Sequence, residues 1–485
     1  MFNVLFTLCL VIPIVLAASI GARRTLWVAW PAALVLMPVW INVTIGAMRL
    51  DLRTAAAVGC LIGFLLRSEN SAPSRWLASD WLMALLIVVQ VISERQVGQF
   101  GTLTIPEILR QWLLPYLLGR MFLGSMADVA RALRPLSRIL LIVSLFAMFE
   151  AVTKFHPVNK LLGRSYGLLE QGEGYRMGLK RSQAMTDHPI FFGMMLVLLF
   201  PWAIEAARRA KAGLGPKWWR LLPWMIAGAL VGSVSRGPQL SAIVTALAAF
   251  FFRHAKWRAP LLATLLVGGI AAYGAKEALV EEFQKVAGET EETAITIVIN
   301  GEEELYTGTR HRVLLFKVYA DAIDTAGMFG WGQQMRGIEL EENIAERFGS
   351  IDSHYVMFFL QRGYSGVVPF VLLQLCTLAQ LGRAAWSSRN LRGNLSGSFF
   401  GAMAAVDAGF FSVWFSPDFG TVWLFNCGLA TRLASFAPDR VLVEANPPPG
   451  GDSSIFRLFG GPAPIRVNPV IGELSCPPAS SLSRP

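Results

Sequence analysis

The chain has 485 residues, of which 54% are hydrophobic and only 16% charged. A soluble protein of this length would carry about a quarter charged residues, so an ordinary soluble domain is excluded. The net charge of +10 comes from short clusters between apolar runs, which argues against nucleic-acid binding.

Apolar runs fall at about 2–20, 25–43, 54–66, 80–93, 108–123, 137–153, 190–206, 221–235, 238–252, 259–275, 354–381, 395–414 and 420–436. Their lengths predict an all-α polytopic membrane protein with about 12–13 transmembrane helices. Alternating apolar and polar residues, the mark of a membrane β-barrel, are absent. The first run has no basic segment before it and ends in Gly21-Ala22-Arg23-Arg24, which reads as a retained span rather than a signal peptide. The runs at 54–66 and 80–93 are short and must borrow flanking residues to cross. Five cysteines show no CxxC or Cys/His spacing, so neither a zinc site nor a disulfide framework is expected.

Charge sets the expected sidedness. Residues 207–220 hold five Lys/Arg and no acid, and 253–258 and 382–394 hold three each. Short basic loops mark the cytoplasmic side. Residues 276–352 instead hold 16 of the 33 acids against seven Lys/Arg, so this loop is expected outside. Alternation then places 44–53, 94–107, 154–189, 234–237, 276–353 and 415–419 outside. The basic loops, 67–79 and 124–136 fall inside. Residues 1–436 form the membrane domain, with large periplasmic loops at about 154–189 and 276–353. Residues 437–485, rich in Pro, Gly and Ser, read as a disordered cytoplasmic tail.

Four stretches could carry chemistry. The first external loop ends with Arg176, Lys180, Arg181 and His188 just before a span. These suit either a lipid-headgroup anchor or a substrate anion. Arg236 sits in Ser235-Arg236-Gly237, a tight connector between two runs. It reads equally as a turn arginine snorkelling to headgroups or as a planar fork for phosphate. Arg310 and Arg312 open an amphipathic helix whose apolar face is Leu314, Leu315, Val318, Tyr319 and Ile323. That face suits a helix lying on the outer leaflet. Cations at its start oppose the helix dipole unless an anion binds; a pair of solvated loop arginines is the plain alternative. Finally, His354 opens the run at 354–381. A lone histidine is more often structural than catalytic. At a wet interface its imidazole could take a proton from a sugar hydroxyl. The acidic run around 281–304 reads as solvated, and nothing in it fixes metal-ligand spacing.

Taken in order, these residues resemble the O-antigen ligase/polymerase superfamily. The matching elements are Arg181 with His188-Pro189; Ser235-Arg236-Gly237; Arg312 with Phe316 and Gly330-Trp331-Gly332; and His354 before Gly363-Tyr364-Ser365-Gly366. The sequence departs from the family pattern at Tyr355, where Asn is common, at Phe316, where Trp is common, and at Thr325-Ala326-Gly327, in place of Asp-His-Pro. The resemblance implies a glycosyltransferase-C-like fold in the bacterial inner membrane, with its active site facing the periplasm. It implies glycan transfer from an undecaprenyl-diphosphate-linked donor to a glycan acceptor, with no cofactor or metal. Arg181, Arg236, Arg310 and Arg312 are then expected to bind substrate, and His354 to act as base. Polymerase and ligase stay open, with the acidic loop favouring a polymerase. The rival class, a lipid-linked oligosaccharide transporter, would place charges near the midplane and carry repeats, which this sequence lacks.

Overall fold

The structure is a computed structural model. It describes residues 2–436 except 47, 68–74, 163–173, 177, 276–294, 300, 307, 336–337, 339–343, 345–346 and 389. The expected tail, and much of the acidic stretch, lie outside the described residues.

Every apolar run contains a helix. The first half comprises α1 (Phe2–Ile20), α2 (Ala22–Leu36), α3 (Leu52–Arg67), α4 (Ala78–Gln96), α5 (Thr104–Ile108), α6 (Leu114–Phe122), α7 (Asp128–Thr153) and the short α8 (Pro157–Leu162). A π turn, Leu109–Leu113, joins α5 to α6. There follow α9 (Pro189–Lys211), α10 (Leu222–Ser233), α11 (Arg236–Arg253) and α12 (Ala255–Gly274). The last elements are α13 (Gly308–Val318), α14 (Ala320–Ala326), α15 (His354–Ser387), α16 (Leu391–Gly409) and α17 (Pro417–Ser435). The short runs do borrow neighbours: α3 gains residues at both ends, and α4 reaches 19 residues. Among the described residues strand is confined to three antiparallel two-stranded hairpins, pairing Asn42 with Asp51, Tyr175 with Lys180 and Ile295 with Tyr306 at their open ends. Among the described residues four helices, α1, α7, α9 and α15, are long and apolar enough by length and composition to cross a membrane. The molecule is an all-α membrane protein.

Loops expected on one side meet at one end of the bundle. Arg53 lies 3.7 Å from Asp418, and Asp187 N–H donates to Asp418 Oδ2 at 3.1 Å. Gln99 Nε2 donates to Trp331 O at 3.2 Å, and Ser182 N–H to Gly232 O at 2.9 Å. The opposite set also keeps together. Arg120 pairs with Asp80 at 2.9 Å, Arg432 Nε donates to Leu123 O at 2.7 Å, and the Arg258 guanidinium lies 4.4 Å from the Trp386 ring centre.

The amphipathic helix read at 310–323 divides into α13 and α14, and its apolar face meets protein. Leu314, Leu315, Val318 and Tyr319 are buried in a separate small core with Phe348, Ile351, Val356 and Leu360. The expected position on the outer leaflet is corrected accordingly. The apolar stripe that could have sought lipid is already covered by its own loop and by the start of α15.

Candidate functional site

The site is built around a break in α15. At Gly363 the chain takes φ 61°, ψ −164°, a region essentially restricted to glycine. The break frees backbone groups within a long apolar helix, where each needs a partner. The Gly330-Trp331-Gly332 turn supplies them. Trp331 N–H donates to Leu360 O at 2.7 Å and Gly332 N–H to Gln361 O at 3.1 Å. In return Ser365 N–H donates to Met328 O at 2.9 Å and Tyr364 N–H to Gly327 O at 3.3 Å. Two glycine motifs some thirty residues apart in sequence therefore form one joint. A Cβ on Gly330 would lie 2.5 Å from Arg362 N, which explains that glycine. Glu94, at the end of α4, seals the joint. It pairs with Arg362 and accepts from Gln333 N–H at 2.8 Å.

The joint fixes the half-helix that begins at His354. Ser353 caps it, accepting from Val356 N–H at 3.5 Å, and His354 N–H donates to Phe410 O at 2.8 Å. The imidazole is 4% exposed and sits among Phe358, Phe370, Phe410 and Phe415, with ring centres 5.0–5.4 Å away. Among the described residues, neither of its ring nitrogens has a hydrogen-bond partner.

His354 belongs to the wall of a cavity of about 190 Å³. Arg53, Arg110 and Arg362 share that wall with Gln90, Trp112 and Trp414. Each arginine has a carboxylate. Arg53 faces Asp418, Arg362 pairs with Glu94, and Arg110 Nε donates to Glu107 Oε2 at 2.9 Å. The π turn places three consecutive residues, Arg110, Gln111 and Trp112, on the cavity. Such turns often occur at functional sites.

Of the expected site residues, His354 lines this cavity, whereas Arg181, Arg236, Arg310 and Arg312 do not. Arg181 is buried, and its Nη2 donates to Ser235 Oγ at 3.4 Å. The first two motifs are thereby joined at one elbow. The buried Glu150 holds the approaching loop: its Oε2 accepts from Ser182 Oγ at 2.9 Å and Ala184 N–H at 3.0 Å. His188 caps α9, accepting from Ile190 N–H at 3.1 Å, which is a structural task. Arg236 is exposed as the first residue of α11. Arg310 and Arg312 are exposed on the first turns of α13. Among the described residues, Arg236 and Arg312 have no ion-pair partner. A cation at a helix N-terminus leaves a local surplus of positive potential, suited to an anion.

Sequence reading missed Arg53, Arg110, Arg362 and Glu94. A signal was present for three of them. Arg362 interrupts an apolar run and Glu94 closes another, and an ionisable residue within a span invites a search for its partner. Arg110 carried the same mark, inside the run at 108–123; Arg53 carried none, because it stands beside a turn where an arginine is ordinary.

An all-α membrane protein with arginines and a histidine gathered toward one end of its bundle is the class defined so far. Residues 221–371 match the family model described as O-antigen ligase, and this match supports the resemblance to the O-antigen ligase/polymerase superfamily. No curated protein matches the chain.

Proposed function

We propose that this protein is a polysaccharide polymerase of the bacterial inner membrane. It transfers a glycan from an undecaprenyl-diphosphate carrier to the end of a second lipid-linked glycan, with its site facing the periplasm. The observation that carries the reading is the span of the family match, which contains Arg236, Arg312 and His354 together. In this reading Arg236 and Arg312 hold the diphosphate, with Arg310 adding positive potential and Arg181 bracing the Ser235 elbow. The acceptor hydroxyl oxygen attacks the anomeric carbon. The carbon–oxygen bond to the diphosphate breaks, and the diphosphate leaves with the bonding pair. The hydroxyl proton passes to a ring nitrogen of His354, and the anomeric centre inverts. One well-placed group stabilising the leaving charge contributes about 3–4 kcal/mol.

The preference for a polymerase rests on charge. Glu302, Glu303 and Glu304 line one strand of the external hairpin, and the whole loop is acid-rich. Such a surface repels the heavily phosphorylated lipid A-core that a ligase would need to approach.

Deletion of the gene tests this reading. A polymerase leaves single repeat units on the carrier. Long polymer stranded on undecaprenyl diphosphate would instead identify a ligase. Arg236→Ala and Arg312→Ala should each abolish transfer while the protein still inserts. Arg→Lys should rescue poorly, because a point charge cannot copy the planar fork. Normal glycan from both alanine variants at matched expression removes the clamp.

A further inference from the structure

The His354 cavity contains two unusual features together: donors without partners, and a charge that is already balanced. Arg53 Nη2, Arg362 Nε and Gln90 Nε2 are buried and have no hydrogen-bond partner among the described residues. Their residues are 2%, 3% and 2% exposed, and all three line the cavity. An unspent buried donor costs about 1–3 kcal/mol, so several around one cavity point to a ligand rich in oxygen.

The charge argues against a diphosphate here. Arg53, Arg110 and Arg362 are matched by Asp418, Glu107 and Glu94. Asp51, also in the wall, adds a further carboxylate. An anion entering would meet no surplus positive charge, and its desolvation would go uncompensated. Hydroxyl groups ask only for the spare N–H donors.

The rest of the wall is aromatic. Trp112 is stacked on Phe415, with ring centres 5.3 Å apart and planes at 9°, and on Phe358 at 5.7 Å and 29°. These stacked rings cover one another, so the aromatic surface left to the cavity is that of the half-buried Trp414 and Phe415; apolar surface with a few directed polar groups is how pockets orient small ligands, and a pyranose presents both a C–H face and a hydroxyl rim. A cavity of about 190 Å³ is the scale of one such ring.

We infer that this cavity is a subsite for a single neutral pyranose, the acceptor end of the glycan, with Gln90 and Arg53 selecting it by donating to its hydroxyls. This rests on the proposed transfer reaction, because it seats the attacking sugar beside His354. Gln90 is the sharper test residue. Its Nε2 has no hydrogen-bond partner among the described residues, so Gln90→Leu removes an unsatisfied donor and should leave folding intact. A purely structural role predicts no loss of binding.

The experiment uses the full chain purified in detergent and saturation-transfer NMR with three probes: methyl glucopyranoside, glucuronate and inorganic pyrophosphate. The neutral pyranoside should show transfer that pyrophosphate does not displace, and glucuronate should bind more weakly. Gln90→Leu should weaken pyranoside binding at least fivefold. Displacement of the pyranoside by pyrophosphate, preference for glucuronate, or an unchanged signal in Gln90→Leu each overturns the subsite. Glycan output from cells separates the two readings. If Arg236→Ala stops transfer but Gln90→Leu leaves pyranoside binding unchanged, only the subsite fails. If Arg236→Ala and Arg312→Ala both leave glycan normal while Gln90→Leu loses the sugar, the clamp fails and the subsite stands.

Discussion

Two sets of arginines occupy the same end of this bundle and differ in almost every physical respect. Arg53 and Arg362 are buried and face carboxylates from other helices, Asp418 on α17 and Glu94 on α4. Arg236 and Arg312 are exposed at the starts of helices, without an ion-pair partner among the described residues. A buried, compensated guanidinium holds elements together and contributes directed N–H groups. An exposed, uncompensated one costs the fold little and keeps its charge available. Residue type alone therefore does not identify a substrate clamp; the state of the counter-charge does.

The largest effect should come from breaking a compensated pair. Arg362→Ala leaves Glu94 buried without its cation, and such losses cost about 3–5 kcal/mol. We expect the purified protein to lose much of its thermal stability in detergent, with Glu94→Ala behaving alike. A thermal midpoint within a degree of the wild type in both variants would show that the pair does not hold the joint.

Next comes the joint itself. Gly363→Ala must keep a left-handed φ of 61° and place a Cβ 2.5 Å from the Met328 carbonyl carbon. The conformation alone costs about 1–3 kcal/mol, and the collision adds to it. Proteolysis should then release the 327–332 turn from α15. Unchanged protection of that turn would mean that the chain has another way to satisfy the break.

The rim arginines should behave in the opposite way. Arg236→Ala and Arg312→Ala should alter stability by less than about 0.5 kcal/mol, as exposed substitutions do, while transfer is lost. A thermal shift as large as that of Arg362→Ala would erase the distinction between the two sets.

This contrast also explains what was legible in the sequence. Hydropathy located the long helices, because burial in lipid or protein demands a continuous apolar run, and missed the short α8 (Pro157–Leu162), which lies in no such run. The two glycine motifs were visible, but their joining was not, since the link is made of backbone hydrogen bonds that no side chain announces. Arg236 and His354 stood out by position beside apolar runs. Arg53 did not, because its partner Asp418 is supplied by the fold. The face of α13 was read correctly as apolar and wrongly as lipid-facing, because periodicity reports that a stripe is covered and not by what.

The smallest expected effect concerns the loop that delivers Arg181 to the rim. His156 Nε2 lies 2.6 Å from Ala184 O, and its Nδ1 accepts from Asn159 N–H at 3.0 Å. That acceptor role requires a neutral ring. Burial holds the His156 pKa below its ordinary 6.5, with Glu150 pulling it back up and Lys180 pushing it down. The docked loop thus binds fewer protons than the undocked one, so docking strengthens as pH rises. Its full strength is present above about 6.5. It declines as pH falls through that value toward the depressed one, by at most about 1.4 kcal/mol per pH unit. Amide exchange at Ser182, Gln183 and Ala184, corrected for intrinsic rates, should quicken a few-fold between about pH 7.5 and 5.5. His156→Gln should flatten that response. The amides of Tyr364 and Ser365 at the cavity joint should not respond, because His156 braces the rim loop and the joint's bonds run to Gly327 and Met328. An equal pH response in His156→Gln, or a matching one at the joint, would show that acid loosens the whole end of the bundle rather than the arm that carries Arg181.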